Sequence, residues 1–220
     1  MGMLQEPLGR ESSATRMAYQ TLREMILVGH LPAGQKLKIE DLRKTLNIGA
    51  SPVREALSLL TSDMLVERLD QRGFRAAPAS LDNFREILTL RCTLEEIALR
   101  QSLQNTTPEW EDQLVLAHHR MNKVAHTDAF EQAHRDFHAA LLANAPSPIL
   151  LRFCAQLYDL NIRYRYLAAG QTNYQRRDVA QEHADIFEAA VAGNVDTAVE
   201  RLVEHYRKTG DYLSDQLNGL

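Results

Sequence analysis

The sequence predicts a mainly α-helical protein in two parts, a small unit of helices and a hairpin followed by an all-α antiparallel helical bundle of about six helices. Within the first 78 residues, helical apolar spacing gives way to two short strand-like runs. From Leu81 onward the apolar residues follow helical spacing only. The charge also changes sign at this place. Residues 1–78 carry a net charge of +2, and because the whole chain carries −4, residues 79–220 carry −6.

Composition narrows the class of protein. The chain has 220 residues, of which 45% are hydrophobic, so it can bury a substantial core. No run approaches the ~20 apolar residues of a membrane span, and residues 1–10 lack the apolar segment of a signal peptide. Cys92 and Cys154 lie far apart, which favours reduced thiols. We therefore expect a cytoplasmic protein with a flexible tail over residues 1–11.

The first unit is predicted over residues 12–78. A helix runs to about Val28 after the possible N-caps Ser12, Ser13 and Thr15, and a short helix covers residues 39–46. A further helix opens at Ser51 after a tight turn, and strand-like runs at 65–69 and 73–77 flank a hairpin at 70–72. This order of elements is that of a winged helix-turn-helix domain, which places its second helix in the major groove of DNA.

Arg54 is the strongest candidate for reading bases. It lies on the outward face of the predicted recognition helix, where an arginine can bond guanine O6 and N7 and give about 1–3 kcal/mol of discrimination. The alternative is an ion pair with a neighbouring carboxylate on a solvated face. The candidate DNA-contacting residues are Ser51, Arg54 and Glu55 at the helix start, with Arg72 and Gly73 at the hairpin tip.

The run Ser51-Pro52-Val53-Arg54-Glu55-Ala56-Leu57 and its surroundings over about residues 15–78 resemble the GntR family of bacterial transcription regulators. The resemblance implies a dimeric repressor or activator that binds an inverted-repeat operator in double-stranded DNA. Two departures are visible. Gly49-Ala50 stands where the family usually has Ser-Arg, and Met64 replaces a usual glycine.

The second part, residues 79–220, is predicted to be helical throughout. Short polar or Pro/Gly-containing breaks separate its helices, which indicates an antiparallel bundle. The predicted helices are 81–104, 107–125, 127–144, 148–169, 175–192 and 195–217.

Four of the eight histidines are predicted to meet inside this bundle. His134 and His138 are one helical turn apart on a single face. His183 and His205 lie at equal depth on two helices joined at Gly193-Asn194. Four imidazoles at one point of a bundle suit a metal ion. The alternative is hydrogen-bonded core histidines. His30, His118, His119 and His126 are expected to lie outside this group.

Residues 81–217 resemble the FCD ligand-binding domain of the FadR subgroup of that family, on the pieces around Arg91–Glu95, Phe137–His138, Glu182–His183 and Asn194 to His205. The resemblance implies one divalent transition metal per chain, Zn or Ni, held by His138, His183 and His205. Position 134 is His where the family usually has Asp. It also implies a small carboxylate effector facing Arg91, for which the alternative is a surface pair with Glu95. Arg165 is a second effector-binding candidate.

Two other functions are compatible with parts of the sequence. A metal-free bundle with an apolar effector would make the histidines core residues. A metalloenzyme would need a catalytic motif, yet the sequence has no HExxH, and Glu131 to His134 is the single Glu-x-x-His motif where a di-iron bundle needs two. The sequence therefore favours a regulator without enzymatic activity.

Overall fold

The computed structural model describes residues 8–70, 72–125, 129–168 and 178–217, with side chains from Ser13 onward. These residues form nine helices and three short strands. In chain order they are α1 (Leu8–Leu27), β1 (Lys36–Leu37), α2 (Ile39–Leu46), α3 (Ala50–Ser62), β2 (Val66–Leu69), β3 (Gly73–Ala76), α4 (Leu81–Gln104), α5 (Pro108–Lys123), α6 (Phe130–Leu142), α7 (Pro148–Ala168), α8 (Val179–Val191) and α9 (Val195–Leu217).

The chain folds into two compact units. The first contains residues 1–80 together with Ile162–Leu167 of α7, and the second contains Leu81–Asn161 and Ala168–Leu220. Short strands occur in the first unit, and the described residues of the second are helices and their connections. The mainly α-helical fold class is therefore confirmed.

The first unit is a winged helix-turn-helix. Its three strands form an antiparallel sheet in the order β1-β3-β2, with Glu67 opposite Arg75 and ion-paired to it. The helices α1 and α3 pack against each other through an apolar core. Its fully buried members include Leu22, Ile26 and Leu57. The amphipathic spacing of α1 and α3 thus produces the predicted core.

The turn between α2 and α3 sets where the exposed helix begins. Asn47 adopts a left-handed conformation at φ 53°, and its N–H caps the carbonyl end of α2. Gly49 is the N-cap of α3, so this helix begins at Ala50, one residue before the predicted start at Ser51. The prediction that α1 begins after Ser12, Ser13 or Thr15 is wrong, because this helix begins at Leu8.

The second unit is a bundle of six helices. The long helix α4 packs against α9 and α6, while α5 packs against α6 and α8. Their shared core includes Leu99, Leu114, Phe137, Ile186 and Leu202. The predicted helix bounds agree closely for α4 and α9. The predicted breaks at 126–127 and 170–173 lie outside the described residues. Across the described ranges, no helix is long and apolar enough to cross a membrane.

The turn between α8 and α9 depends on Gly193. This residue has φ 69°, and its N–H and that of Asn194 bond the carbonyls of Ala190 and Ala189. The turn fixes the register of the two helices that carry His183 and His205. A side chain at position 193 would meet no neighbour within 4 Å, so the constraint lies in the backbone.

We expect Gly193→Ala to lower the free energy of unfolding by about 1–2 kcal/mol, because an L-residue with a Cβ is strained in the left-handed region. Gly193→Asn should recover part of this loss, since asparagine tolerates that conformation. Urea unfolding, monitored by circular dichroism, measures the free energy of unfolding of both variants. An alanine variant as stable as the native protein would contradict the prediction.

Candidate functional site

The start of α3 presents an exposed polar surface. Ser51, Arg54 and Glu55 are all exposed, whereas Val53 and Ala56 point into the core. The carboxylate of Glu55 accepts hydrogen bonds from Thr15 Oγ1 at 2.8 Å and from Ser51 Oγ at 3.2 Å. Glu55 therefore ties the start of α3 to α1, and a DNA contact by this residue remains a prediction.

Arg54 is an exposed cation on this surface. Within the described part of the chain it forms no ion pair, so the alternative of a carboxylate partner is not what the structure shows. Arg72 and Gly73 are also exposed and lie at the β2–β3 turn, where the Arg72 N–H donates to the Leu69 carbonyl. All five predicted DNA-contacting positions are thus exposed, and their contacts with DNA remain predictions.

The second unit brings four histidines together. His134 and His138 of α6, His183 of α8 and His205 of α9 are all buried, and their nearest ring nitrogens lie within 4.8 Å of one another. The Nε2 atoms of His134 and His138 are 3.2 Å apart. The predicted convergence of the four imidazoles is therefore what the structure shows.

Three of these imidazoles are anchored at Nδ1. His134 Nδ1 lies 2.7 Å from the hydroxyl of Tyr158, and His138 Nδ1 lies 2.9 Å from that of Tyr206. His205 Nδ1 lies 2.8 Å from Oε2 of Glu182. Metal-binding histidines are typically held in this way, with the second ring nitrogen bonded to a polar group that fixes ring orientation and tautomer.

Tyr206 sets the tautomer of His138. Burial raises the pKa of Tyr206 well above its ordinary value, so its phenol stays protonated. Its hydroxyl donates that proton to Glu95 and can only accept from His138 Nδ1–H. A neutral His138 then carries its lone pair on Nε2, the atom that faces His134. The position of this lone pair suits metal coordination.

The donor set also fits a small divalent transition metal. Zn–N distances of about 2.0–2.1 Å imply a separation of about 3.3–3.4 Å between two nitrogens of a tetrahedral site. The His134–His138 Nε2 separation of 3.2 Å is close to that value, and all the ligand nitrogens of the cluster lie within 4.8 Å of one another. Four neutral imidazoles favour Zn, Ni, Co or Cu over Mg or Ca.

Arg91 lies behind this cluster instead of on the bundle surface. It is buried, donating from Nε to Glu95 at 2.7 Å and from Nη1 to Asn161 at 3.0 Å. Its guanidinium also covers the rings of Tyr206 and Tyr158, at 4.0 and 4.9 Å. Burial alone would lower its pKa, but the Glu95 carboxylate raises the pKa above its ordinary value. The pair with Glu95 that was the alternative for Arg91 is therefore present, but it is buried and does not lie on the surface.

One nitrogen of Arg91 remains available. Nη2 is buried and has no hydrogen-bond partner among the described residues. A buried donor of this kind costs free energy unless some group accepts from it. This feature supports the predicted effector role of Arg91. Arg165 is half-buried and lies in the segment Ile162–Leu167 of the first unit, and its effector role remains a prediction.

A cavity of about 200 Å³ lies beside the histidine cluster, between α4, α6 and α7. Its lining is predominantly apolar and includes one wall of His138. The lining residues are Glu95, Arg135, His138, Ala139, Leu142, Ala143, Leu151, Cys154, Ala155 and Tyr158. Neither Arg91 nor Arg165 is among them.

Sequence reasoning missed the groups that hold the histidines. Tyr206 is adjacent to His205 in sequence, and Glu182 is adjacent to His183, yet each anchors a different histidine. Tyr158 comes from α7, which carries none of the four. His30, His118 and His119 lie outside the cluster as expected, and His126 lies outside the described residues. These partners could be found only from the packing of the helices.

A winged helix-turn-helix that exposes Arg54 at the start of α3, together with a separate helical unit that buries four histidines, is the arrangement of a DNA-binding regulator with a sensing domain. Comparison with known families agrees. Residues 14–75 match the description "Bacterial regulatory proteins, gntR family", and residues 86–208 match the FCD domain. The chain belongs to the GntR family, with an FCD ligand-binding domain. It is a bacterial transcription regulator of a family that binds operator DNA, and not an enzyme.

Individual relatives support the same assignment. The chain is 38% identical over 208 residues to the HTH-type transcriptional regulator BphR of Paraburkholderia xenovorans strain LB400, covering 90% of this chain and 84% of the relative. It is 28% identical to the HTH-type transcriptional repressor GlaR of Escherichia coli strain K12, covering 85% and 90%. The solved structure of E. coli McbR/YncC has the same fold, with a TM-score of 0.80, 22% identity and coverage of 92% and 98%.

We expect Arg91→Met to destabilise the protein by about 3–5 kcal/mol, because it leaves the Glu95 carboxylate buried without its cation. The double variant Arg91→Met/Glu95→Met should recover most of this loss, since apolar residues of similar size can replace a buried ion pair. Thermal or urea unfolding of both variants measures the difference. A double variant less stable than Arg91→Met alone would show that the pair itself is not the source of the effect.

Proposed function

We propose that this GntR regulator binds one divalent transition metal per chain, Zn or Ni, through His134, His138, His183 and His205. We further propose that a small organic-acid effector binds the same unit and changes the affinity of a homodimer for an inverted-repeat operator. The observation that carries the proposal is the convergence of four buried imidazoles, three of them anchored at Nδ1.

The proposed metal site has a structural and an electrostatic consequence. The four histidines come from α6, α8 and α9. A metal ion bound by them would therefore link these three helices to one another. A bound ion supplies positive charge and Lewis acidity at that point. The carboxylate of Glu182 balances part of this charge directly at His205, whereas Glu95 accepts from Tyr206 and is ion-paired with Arg91.

Arg91 is the proposed partner of the effector carboxylate. Its planar guanidinium matches a carboxylate in geometry, and its Nη2 is a buried donor with no acceptor in the described structure. Arg165 is a second proposed contact. An effector changes operator binding only if its affinity differs between the two conformations of the regulator. The buried network around Arg91 supplies groups that such a ligand would rearrange.

The proposed DNA mechanism uses the exposed surface at the start of α3. Arg54 contacts base edges in the major groove, Ser51 contacts a phosphate, and Glu55 lies beside them. Arg72 and Gly73 at the β2–β3 turn contact the adjacent groove or backbone. One such surface covers a half-site, so a two-fold homodimer would read an inverted repeat.

We expect Arg54→Ala to weaken binding to an operator by about 1–3 kcal/mol while changing binding to random duplex much less, because it removes a base contact. The operator is first selected from a random duplex library with the native protein. Titrations of selected and scrambled duplexes are then compared at one fixed salt concentration. Arg152→Ala, an exposed arginine of α7, is the matched control and should change neither affinity. Equal losses on both duplexes would contradict a base-reading role for Arg54.

We expect about one Zn or Ni ion per chain in protein purified without chelator or affinity tag, since the four imidazoles form a complete ligand set. His138→Ala and His183→Ala should each lose the ion. Tyr206→Phe should retain the fold and lower metal affinity by about 10–100-fold, because it removes the group that fixes His138. Elemental analysis and chelator competition measure these changes, and His119→Ala, an exposed histidine outside the cluster, is the control.

Protein without metal would contradict the proposed metal site. Native protein that contains no metal, takes up none from added Zn or Ni and still folds would mean that the four histidines are hydrogen-bonded core residues. In that case a proton shared between His134 and His138 would account for their 3.2 Å approach.

A further inference from the structure

We infer that the cavity beside His138 binds the apolar body of the effector, a group of about the size of one six-membered ring. The inference rests on the proposed effector-binding function of this unit and names the chemical class of the ligand. Of the four clustered histidines, His138 alone is among the residues that line this cavity.

The volume of the cavity sets the size of the ligand. An apolar protein cavity of about 150 Å³ is large enough to take up benzene. The cavity between α4, α6 and α7 measures about 200 Å³. It therefore has room for a single ring with one or two substituent atoms.

The polar groups in the lining are already bonded inside the protein. Glu95 accepts from Arg91 and Tyr206, and the hydroxyl of Tyr158 is bonded to His134. Arg135 is ion-paired with Asp159. These residues therefore present ring faces and methylene groups to the cavity. A ligand made of carbon loses little by entering such a site, whereas a polar body would give up hydrogen bonds to water.

Cys154 adds to the apolar character. It is buried, and burial raises the pKa of its thiol to about 12, so the group is uncharged at neutral pH. An uncharged buried thiol behaves as a small hydrophobic side chain. The remaining lining consists of leucines and alanines.

Small residues keep the cavity open to solvent. Ala139 and Ala143 at the end of α6 and Ala155 of α7 line it and are themselves exposed. A larger side chain at any of these positions would cover the entrance. The described structure therefore gives an apolar molecule a direct path to the wall formed by His138.

The test is a ligand-observed NMR titration of the full chain with four probes. Benzyl alcohol and benzoate contain a six-membered ring, whereas acetate and glycerol do not. We expect saturable binding of both ring compounds and none of glycerol. Acetate, which shares only the acid group with benzoate, should bind at least about tenfold more weakly than benzoate because it leaves the cavity unfilled.

Variants at the entrance locate the binding. Ala155→Leu and Ala139→Leu each place a side chain in the cavity at an exposed helical position, and each should weaken binding of benzyl alcohol by about tenfold or more. Ala180→Leu, at an exposed alanine of α8 outside the cavity, should leave it unchanged. Circular dichroism and metal content serve as controls that the fold and the histidine cluster of each variant are intact. One of the two variants that passes these controls is sufficient to locate the binding.

The outcomes separate this inference from the proposed function. Acetate and benzoate binding equally, with no binding of benzyl alcohol, would overturn the apolar pocket and leave an organic-acid effector in place. Ring compounds that bind equally well to Ala155→Leu and Ala139→Leu would also overturn it. Protein that lacks metal but binds the ring compounds in the cavity would support the pocket and contradict the metal proposal.

Discussion

The buried carboxylate of Glu95 is the group on which the histidine cluster depends. Glu95 is excluded from water, so it needs strong donors, and Arg91 and Tyr206 provide them. Because the Tyr206 proton is given to Glu95, the Tyr206 oxygen is left to accept from His138. The buried charge of Glu95 on α4 thus determines the tautomer of His138 on α6, so that the Nε2 lone pair of His138 faces the centre of the cluster.

The exposed surface at the start of α3, which is proposed to face DNA, follows a different constraint. The recognition helix is held by apolar packing of α1 against α3 and by hydrogen bonds from Thr15 and Ser51 to Glu55. These contacts fix the start of α3 against α1. Arg54 is an exposed cation on this helix, which is the arrangement that a specific base contact needs.

Local patterns predicted those parts of the protein that depend on short-range spacing. The i, i+4 pair of His134 and His138 and the equal depth of His183 and His205 follow from helix geometry, and the structure contains both. The start of α1 was not predictable, because Ser and Thr residues favour a cap but do not require one. Nor could the anchoring of His134 by Tyr158 be read from the sequence, since it depends on how α7 packs against α6.

His138 connects the proposed metal site with the cavity, because it belongs to the four-histidine cluster and also lines the cavity. A fourth imidazole at position 134 would complete the ligand set of a tetrahedral ion and leave it no vacant position for an effector oxygen. An effector would then bind beside the proposed metal site, where the apolar lining that includes His138 offers a surface. A ligand in contact with His138 would act on a residue that is already linked to Tyr206, Glu95 and Arg91. The buried network therefore gives effector binding a physical route to the helix α4.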